Sequence, residues 1–328
     1  MPEPLRFAIA GCGRIAARHA REISFQGTLV GVCEPDPVRL EAFCGQYGCR
    51  GYRDHEALLE AETPDVLVIC SPNGLHAAQA IAALERGSHV LCEKPFALSS
   101  RDCLEVIDKA LEQARMVRVV QSYRHHPGVQ AVHNALAAGR LGKICSFQMS
   151  CLWNRDSRYY AGGWKGTRSL DGGILYTQFS HFMDLLYWFF GMPESVFARA
   201  YNKMHQGLIE FEDQGDALLE FEGGVSGSLH YSINAYRKNL EGSLTLLGET
   251  GTVRLGGAFC GDLEYQQLDG IPLVAARLDP SQAAHHDLVY RDFMQAYRSG
   301  NLDLSQARDS MHTVELIEKI YRAGGAPA

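Results

Sequence analysis

Lys94 stands two residues past the apolar run His89 to Cys92 and directly before Pro95. A lysine just beyond the carboxyl end of a buried strand faces the crevice where open α/β sheets bind ligands. Pro95 fixes its own φ and biases Lys94 away from helical conformations, so the strand ends there. A cation so placed suits stabilisation of a developing alkoxide or, once desolvated, proton abstraction. His181 is the second chemically able residue, within the apolar stretch from Ile174 to Phe189. Imidazole titrates near neutrality and serves as a general base. Thr177, His181 and Asp184 are spaced i, i+4 and i+7. On one long helix that spacing predicts a polar stripe, costly in an apolar surrounding unless it faces a site or pairs internally. A hydrogen-bonded core histidine is the alternative for His181.

The elements that must position these residues begin at Gly11-Cys12-Gly13-Arg14-Ile15-Ala16. This run follows an apolar segment, Arg6 to Ala10, and precedes a helical pattern reaching about Ser24. Strand, glycine turn and helix in that order fit the dinucleotide pattern G-x-G-x-x-G/A. Gly11 permits the tight turn, Gly13 lets the backbone approach a pyrophosphate, and Ala16 keeps helix and strand close. Arg14 and Ile15 lie in the same cofactor-binding turn, at the positive end of the helix. A second apolar run, Thr28 to Cys33, ends in Glu34. A carboxylate there is placed to hold a ribose 2′-hydroxyl and to repel a 2′-phosphate, which favours NAD over NADP. Asp36 is a rival for the task. Val66 to Cys70 reads as a third strand, and Ser71-Pro72-Asn73 turns into a helix from about Leu75 to Arg86. Ser71, Asn73 and His76 are expected to reach cofactor or substrate, although His76 equally suits a polar helix start. Ser99 opens another helix, and Val117 to Gln121 is one more strand. Strands alternating with helices argue a parallel, doubly wound sheet, the Rossmann arrangement.

The domain boundary is placed between Ser122 and Tyr123, giving domains 1–122 and 123–328. His125 and His126 lack a neighbouring cysteine or carboxylate, so no metal is expected. Lys143 to Asn154 alternates between two faces, as a strand of an open sheet does. The segment from Trp153 to Thr167 carries Arg155, Tyr159, Tyr160, Trp164 and Lys165. Aromatic and cationic side chains in a glycine-bearing loop suit a planar, anionic or sugar-bearing ligand. From Ser195 to Leu255 the pattern is strand after strand, with hairpin signals at Glu222-Gly223-Gly224 and Glu249-Thr250-Gly251. Residues 256–283 read as loop. Helices over about 285–299 and 306–323 close the chain, the first bringing Tyr290 as a candidate substrate contact.

Composition limits the function. The 328 residues are 46% hydrophobic and 21% charged, with net charge −7. That is a globular, two-domain chain without the basic surface a nucleic acid needs. Ten cysteines are scattered without a Cys-x-x-Cys pair and read as reduced thiols of a cytoplasmic protein. The most apolar run, Phe182 to Met192, contains Asp184 and is far too short for a membrane span.

Residues 7–16, 65–76 and 87–98 together resemble the glucose–fructose oxidoreductase, inositol dehydrogenase and MocA family, with Glu93-Lys94-Pro95 the most diagnostic piece. The resemblance runs over essentially the whole chain. It implies a Rossmann domain followed by an α+β domain with an open-faced, largely antiparallel sheet. It also implies NAD(P)-dependent oxidation or reduction of a sugar-like hydroxyl. By that resemblance Lys94 lies near the nicotinamide, often after a cis bond to the proline, with Glu93 and Ser122 beside the cofactor. His181 inherits the acid/base role, and whether it or Lys94 is the base stays open. Gly172-Gly173 match the family, while Thr177 stands where an aspartate is usual. Within the family, the Trp153 to Lys165 stretch and the Thr177 to His181 run are similar to enzymes oxidising C3 of UDP-N-acetylglucosamine or its uronate ahead of a transaminase. On that reading Trp164 and Lys165 face the cofactor. Arg124, Arg155, Tyr159, Tyr160, Thr177, Gln178, His181 and Tyr290 face the substrate. A free-sugar or cyclitol dehydrogenase is the alternative enzyme, and a non-catalytic NAD-binding sensor the alternative of another class. A homodimer or homotetramer through the C-terminal sheet is expected.

Overall fold

The computed structural model describes residues 4–161, 163–257, 259–275 and 285–325. The first half alternates strand and helix: β1 (Leu5–Ala10), α1 (Ala16–Gln26), β2 (Gly27–Cys33), α2 (Pro37–Tyr47), β3 (Arg50–Tyr52), α3 (His55–Glu62), β4 (Val66–Ile69), α4 (His76–Glu85), β5 (His89–Cys92), α5 (Ser100–Glu112) and β6 (Val117–Val119). The six strands are parallel in the order β3-β2-β1-β4-β5-β6. The apolar runs Phe7 to Ala10, Val66 to Ile69 and Val90 to Cys92 are buried throughout, as strands covered on both faces must be. Strand order reverses between β1 and β4, so the carboxyl ends of those two strands open the crevice. Side chains cap the helices: Asp36 accepts from the Val38 and Arg39 amides, Asp54 from Ala57, and Ser99 from Asp102. β3 escapes the sequence pattern because it has three residues on an exposed sheet edge.

The division of the chain differs from a single cut after residue 122. Met1–Val120 form one unit together with His286–Met311, while Gln121–His285 and His312–Ala328 form the other. The reason is the apolar face of α10 (His286–Arg298). Val289, Tyr290, Phe293, Met294 and Ala296 join Phe7, Ile9, Ile23 and Val68 in the first unit's core. Gln306, near the start of α11 (Ser305–Ala323), adds an edge contact. Its amide accepts from the Val119 N–H at 2.9 Å and donates to the Val119 carbonyl at 2.7 Å, occupying the open side of β6.

The second unit contains α6 (Pro127–Ala137), β7 (Ile144–Leu152), α7 (Ser157–Tyr160), α8 (Ile174–Thr177) and α9 (Ser180–Phe190). These are followed by β8 (Pro193–Tyr201), β9 (Gln214–Phe221), β10 (Val225–Ser232), β11 (Glu241–Gly248), β12 (Gly251–Gly256) and β13 (Asp262–Leu268). Its seven-stranded sheet runs β13-β12-β11-β7-β10-β9-β8, antiparallel except for the β7–β10 pair. Phe147, Met149, Cys151 and Trp153 form the inward face of the β7 stretch. The Trp153 ring lies 5.2 Å from Phe179 and 5.8 Å from Phe182, and Phe147 lies 5.4 Å from Phe190. β13 corrects the loop reading of 256–283: its side chains are mostly exposed, so it has no apolar alternation to read. Residues 276–283 of that stretch lie outside the described residues. Among the described residues no helix is long and apolar enough to cross a membrane.

Candidate active site

The glycine turn has the geometry its sequence predicts. Gly11 has φ +96°, and a Cβ there would stand 2.8 Å from the Cys70 carbonyl oxygen, so no larger residue fits. Gly13 is different: apart from its chain neighbours, no atom of the described residues lies within 4 Å of where its Cβ would be. The start of α1 has no side-chain cap and no acid in its first turn, although the Ala16 and Arg18 amides already donate to the Gly13 and Ile15 carbonyls at 3.1 and 3.0 Å. Glu34 closes onto this loop, accepting from the Cys12 N–H at 3.1 Å and from the Asp36 N–H at 3.2 Å. Asp36 itself caps α2 and pairs with Arg39, which also stands 3.5 Å from Glu34. Arg14 is exposed and Ile15 half-buried on the turn itself.

At the ends of β4 and β5 the side chains mostly serve one another. The Lys94–Pro95 bond is cis. His76 is buried, with Nδ1 2.8 Å from the Pro95 carbonyl and Nε2 3.0 Å from the Ser71 carbonyl. Both ring nitrogens are thus engaged, which corrects the expectation of a cofactor contact: His76 ties two turns of the sheet edge together. Ser71 donates to Gln79 at 2.6 Å, and Asn73 is buried in the turn that follows. Glu93 also departs from expectation. Its carboxylate is held by His19 at 3.0 Å, His286 at 3.2 Å and the Lys94 N–H at 3.2 Å, so it faces inward. Tyr290 is fully buried, 2.9 Å from Nδ1 of His19. It is a core residue of the first unit and not a substrate contact, because α10 turns its apolar face inward.

In the second unit the predicted single helix is two. α8 ends at Thr177 and α9 starts at Ser180, with Phe179 at φ −113° and ψ 8° between them. Thr177, His181 and Asp184 therefore do not form one helical stripe. Gly172 and Gly173, at φ +87° and +139°, start α8. Thr177 donates its hydroxyl to the carboxylate of Asp171, a fully buried acid that also accepts from the Gly166 N–H at 2.7 Å. The His181 ring stacks on Tyr123 with centroids 4.2 Å apart and an 11° interplanar angle. Asp184 takes a bidentate pair from Arg124, at 2.7 and 2.9 Å, plus the Thr313 hydroxyl at 3.0 Å. Arg124 was expected on substrate; its guanidinium is instead turned to a buried carboxylate, the partner such a charge requires. Ser122, in the turn just before it, is buried.

The aromatic segment packs its rings and cations against one another. Arg155 lies over Trp153 and Tyr159, at 5.0 and 4.9 Å from the ring centres, and the Lys165 ammonium sits 3.8 Å over Tyr159. Gln178 donates to the Tyr159 hydroxyl at 3.2 Å. Tyr160 packs edge-on against Tyr159 and is buried, while Trp164 stays half-buried. His205 and Asp213 also support this segment, without any sequence signal that marks them. His205 joins Asp213 at 3.1 Å and reaches the Arg155 carbonyl with Nε2 at 2.8 Å, pinning the start of the segment. Neither belongs to a motif; Asp213 is only eight residues from His205, but Arg155 is 50 residues away. Asp171 adjoined the Gly172-Gly173 signal and was there to be found.

Comparison with known proteins decides the family. Residues 5–121 match the GFO_IDH_MocA oxidoreductase family with an NAD-binding Rossmann fold, and residues 129–254 match the GFO/IDH/MocA C-terminal domain. The chain belongs to the GFO/IDH/MocA family. It is therefore an enzyme, an oxidoreductase built on a nicotinamide-cofactor domain. It is similar to the solved WlbA dehydrogenase of Bordetella pertussis, in complex with NADH and UDP-GlcNAcA. That likeness has 32% identity and a TM-score of 0.90 over 98% of this chain and 97% of that one. The D-glucoside 3-dehydrogenase of Escherichia coli is 28% identical over 79% of this chain and 75% of its own length. The dTDP-3,4-didehydro-2,6-dideoxy-alpha-D-glucose 3-reductase of Streptomyces antibioticus is 29% identical over 98% and 97%.

Proposed function

We propose that the chain is an NAD-dependent dehydrogenase of a nucleotide-linked sugar, acting at a secondary hydroxyl, with C3 of a UDP-N-acetylhexosamine or its uronate the favoured position. The observation that carries this reading is the cationic, aromatic cluster of Arg155, Tyr159, Lys165 and Gln178. A uridine diphosphate needs such planar stacking and bidentate cationic contacts. The likeness to a WlbA dehydrogenase solved with UDP-GlcNAcA supports it.

The first unit fits a dinucleotide. The space at Gly13, the uncapped start of α1 and the inward-facing Glu34 suit a pyrophosphate and an unphosphorylated ribose. Gly11, Gly13, Arg14, Ile15, Ser71 and Asn73 would hold the cofactor, with Ser122 and Trp164 as further candidates. Bound NAD supplies the hydride acceptor. Lys94 stabilises the negative charge developing on the substrate oxygen, and His181 receives the hydroxyl proton; the reverse assignment of the proton to Lys94 is the competing mechanism. Thr177 lacks the usual carboxylate, yet Asp171 holds its hydroxyl, so an acid stays in that neighbourhood. Family membership favours turnover over an NAD-binding sensor.

The test is reduced-nicotinamide absorbance with NAD and, separately, UDP-N-acetylglucosamine, its uronate, free N-acetylglucosamine and myo-inositol. A 2-oxo acid is included to recycle any cofactor that stays bound. Turnover confined to the UDP-sugars supports the reading. Turnover confined to the free polyols overturns it and leaves a sugar or cyclitol dehydrogenase.

A further inference from the structure

Beside Lys94 lies a buried polar cluster that the mechanism above does not use. Glu93 is 8% exposed and His19 fully buried. Oε1 of Glu93 lies 3.0 Å from Nε2 of His19, on α1, and 3.2 Å from Nε2 of His286, on α10. Oε2 accepts the backbone N–H of Lys94 at 3.2 Å. The two imidazoles meet edge to face, 5.1 Å apart, and the Tyr290 hydroxyl stands 2.9 Å from Nδ1 of His19.

The proton count gives this cluster a direction. Burial lowers the pKa of His19, so it carries one N–H. The Glu93 carboxylate, ionised through its histidine partners despite burial, only accepts. His19 therefore keeps its proton on Nε2, and its Nδ1 accepts from Tyr290. Tyr290 donates to His19, and His19, His286 and the Lys94 N–H all donate to Glu93. Among the described residues, the other titratable or charged groups near this cluster include Lys94 itself, Arg18 and Glu22 on α1, Asp287 on α10, Cys70 past β4, Cys92 on β5 and His76 on α4. Burial holds both thiols and the imidazole in their neutral forms. The ligand atoms of His19, Glu93 and His286 all lie within 4.8 Å of one another. The nitrogen–oxygen separations are those of ordinary hydrogen bonds, and these bonds complete the cluster without an added ion.

We propose that His19, His286 and Tyr290 are positioning residues for Lys94, fixing the Glu93 carboxylate so that it sets the backbone from which the lysine projects. The inference rests on the role given to Lys94 above. It also assigns the return of α10 to the first unit a purpose beyond core packing.

The experiment compares His286→Leu, His286→Gln, Tyr290→Phe and Lys94→Ala, with UDP-N-acetylglucuronic acid and NAD as substrates. Gln presents a donor where the histidine Nε2–H stood, and Leu presents none. His286→Leu is expected to lower kcat at least tenfold with KM for NAD within about twofold. Its kcat should also fall at higher pH on the acid side, because a Glu93 short of a donor takes up a proton more readily. His286→Gln should restore most of the rate and the profile. Tyr290→Phe removes one oxygen and serves if the Leu variant does not fold; a smaller loss with the same profile shift is expected. Histidine nitrogen NMR of the wild type, which needs no substrate, should read the Nε2–H tautomer at His19. Folded variants with unchanged kcat and pH profile, or an Nδ1–H tautomer at His19, overturn the positioning role. So does a stoichiometric divalent metal on these residues. Full activity of Lys94→Ala instead overturns the reading of Lys94 itself, whatever the histidine variants do.

Discussion

Glu34 and Asp36 show how two acids of one type, two residues apart, come to different work. Glu34 reaches the glycine turn through the Cys12 N–H, while Asp36 caps α2. Replacing Glu34 by alanine is expected to raise KM for NAD by about tenfold or more, since a hydrogen bond to a charged group contributes about 1.5–3 kcal/mol. It should also relax discrimination against NADP, and initial rates with both cofactors read this. Asp36→Ala should lower the denaturation midpoint through the lost cap and leave cofactor preference unchanged, which a denaturant melt and the same rates check. Lys94→Ala and His181→Ala are each expected to lower kcat by about 10²–10⁴. Stopped-flow NAD binding should stay near wild type in the His181 variant. A fully active double variant would sink the mechanism.

At the scale of elements, the start of α8 depends on a buried acid. Glu212 accepts from the Tyr321 hydroxyl at 2.5 Å and from the Ile174 N–H at 3.2 Å, while Tyr321 itself accepts from the Leu175 N–H at 3.0 Å. Burial pushes the Glu212 carboxyl up to about 7. Between its ordinary value, 4.5, and about 7 the folded chain binds more protons than the unfolded one. Stability therefore falls as pH rises through that window, by about 3 kcal/mol in all, and levels off above it. Glu212→Gln keeps an acceptor for Tyr321 and removes the titration. Its melting temperature should exceed that of the wild type at pH 8 and approach it at pH 5. Equal pH dependence in the two proteins would show that Glu212 does not titrate in this range. Gly173→Ala at the same helix start should be strongly destabilising, because its Cβ would overlap the Tyr321 hydroxyl and its φ is +139°.

For the whole molecule, the outer face of the second unit's sheet supports the expected oligomer. Phe197 and Leu218 are partners in register on β8 and β9 and are 62% and 59% exposed. Tyr265, 51% exposed, lies on β13 at the opposite edge of the sheet and is not part of this pair. Exposed apolar side chains clustered on a sheet mark association surfaces. Phe197→Arg combined with Leu218→Arg is expected to reduce the mass seen by light scattering to that of one chain while the fold is kept. An unchanged mass would place the interface elsewhere, and a wild-type monomer would remove the proposal.

The sequence by itself determined the parallel sheet, the glycine turn, the Glu34 strand end and the Glu93-Lys94-Pro95 corner. Each of these is written in residues close together in the chain, as apolar runs and turn chemistry. It also marked the aromatic segment, since ring and charge types are legible without coordinates. Tertiary structure alone decided which polar side chains are already spent. Arg124, Tyr290 and the histidine partners of Glu93 show this: Arg124 is 60 residues from Asp184, Tyr290 is 271 from His19 and Glu93 is 193 from His286, while His76 is closed off by carbonyls 5 and 19 residues away that only the turn geometry brings onto its ring. The same remoteness hid the return of α10, whereas β13 was hidden by its exposed side chains and the break between α8 and α9 by a run that is apolar on both sides of it. Burial turns a polar side chain toward its nearest available partner, and only the fold determines which partner that is.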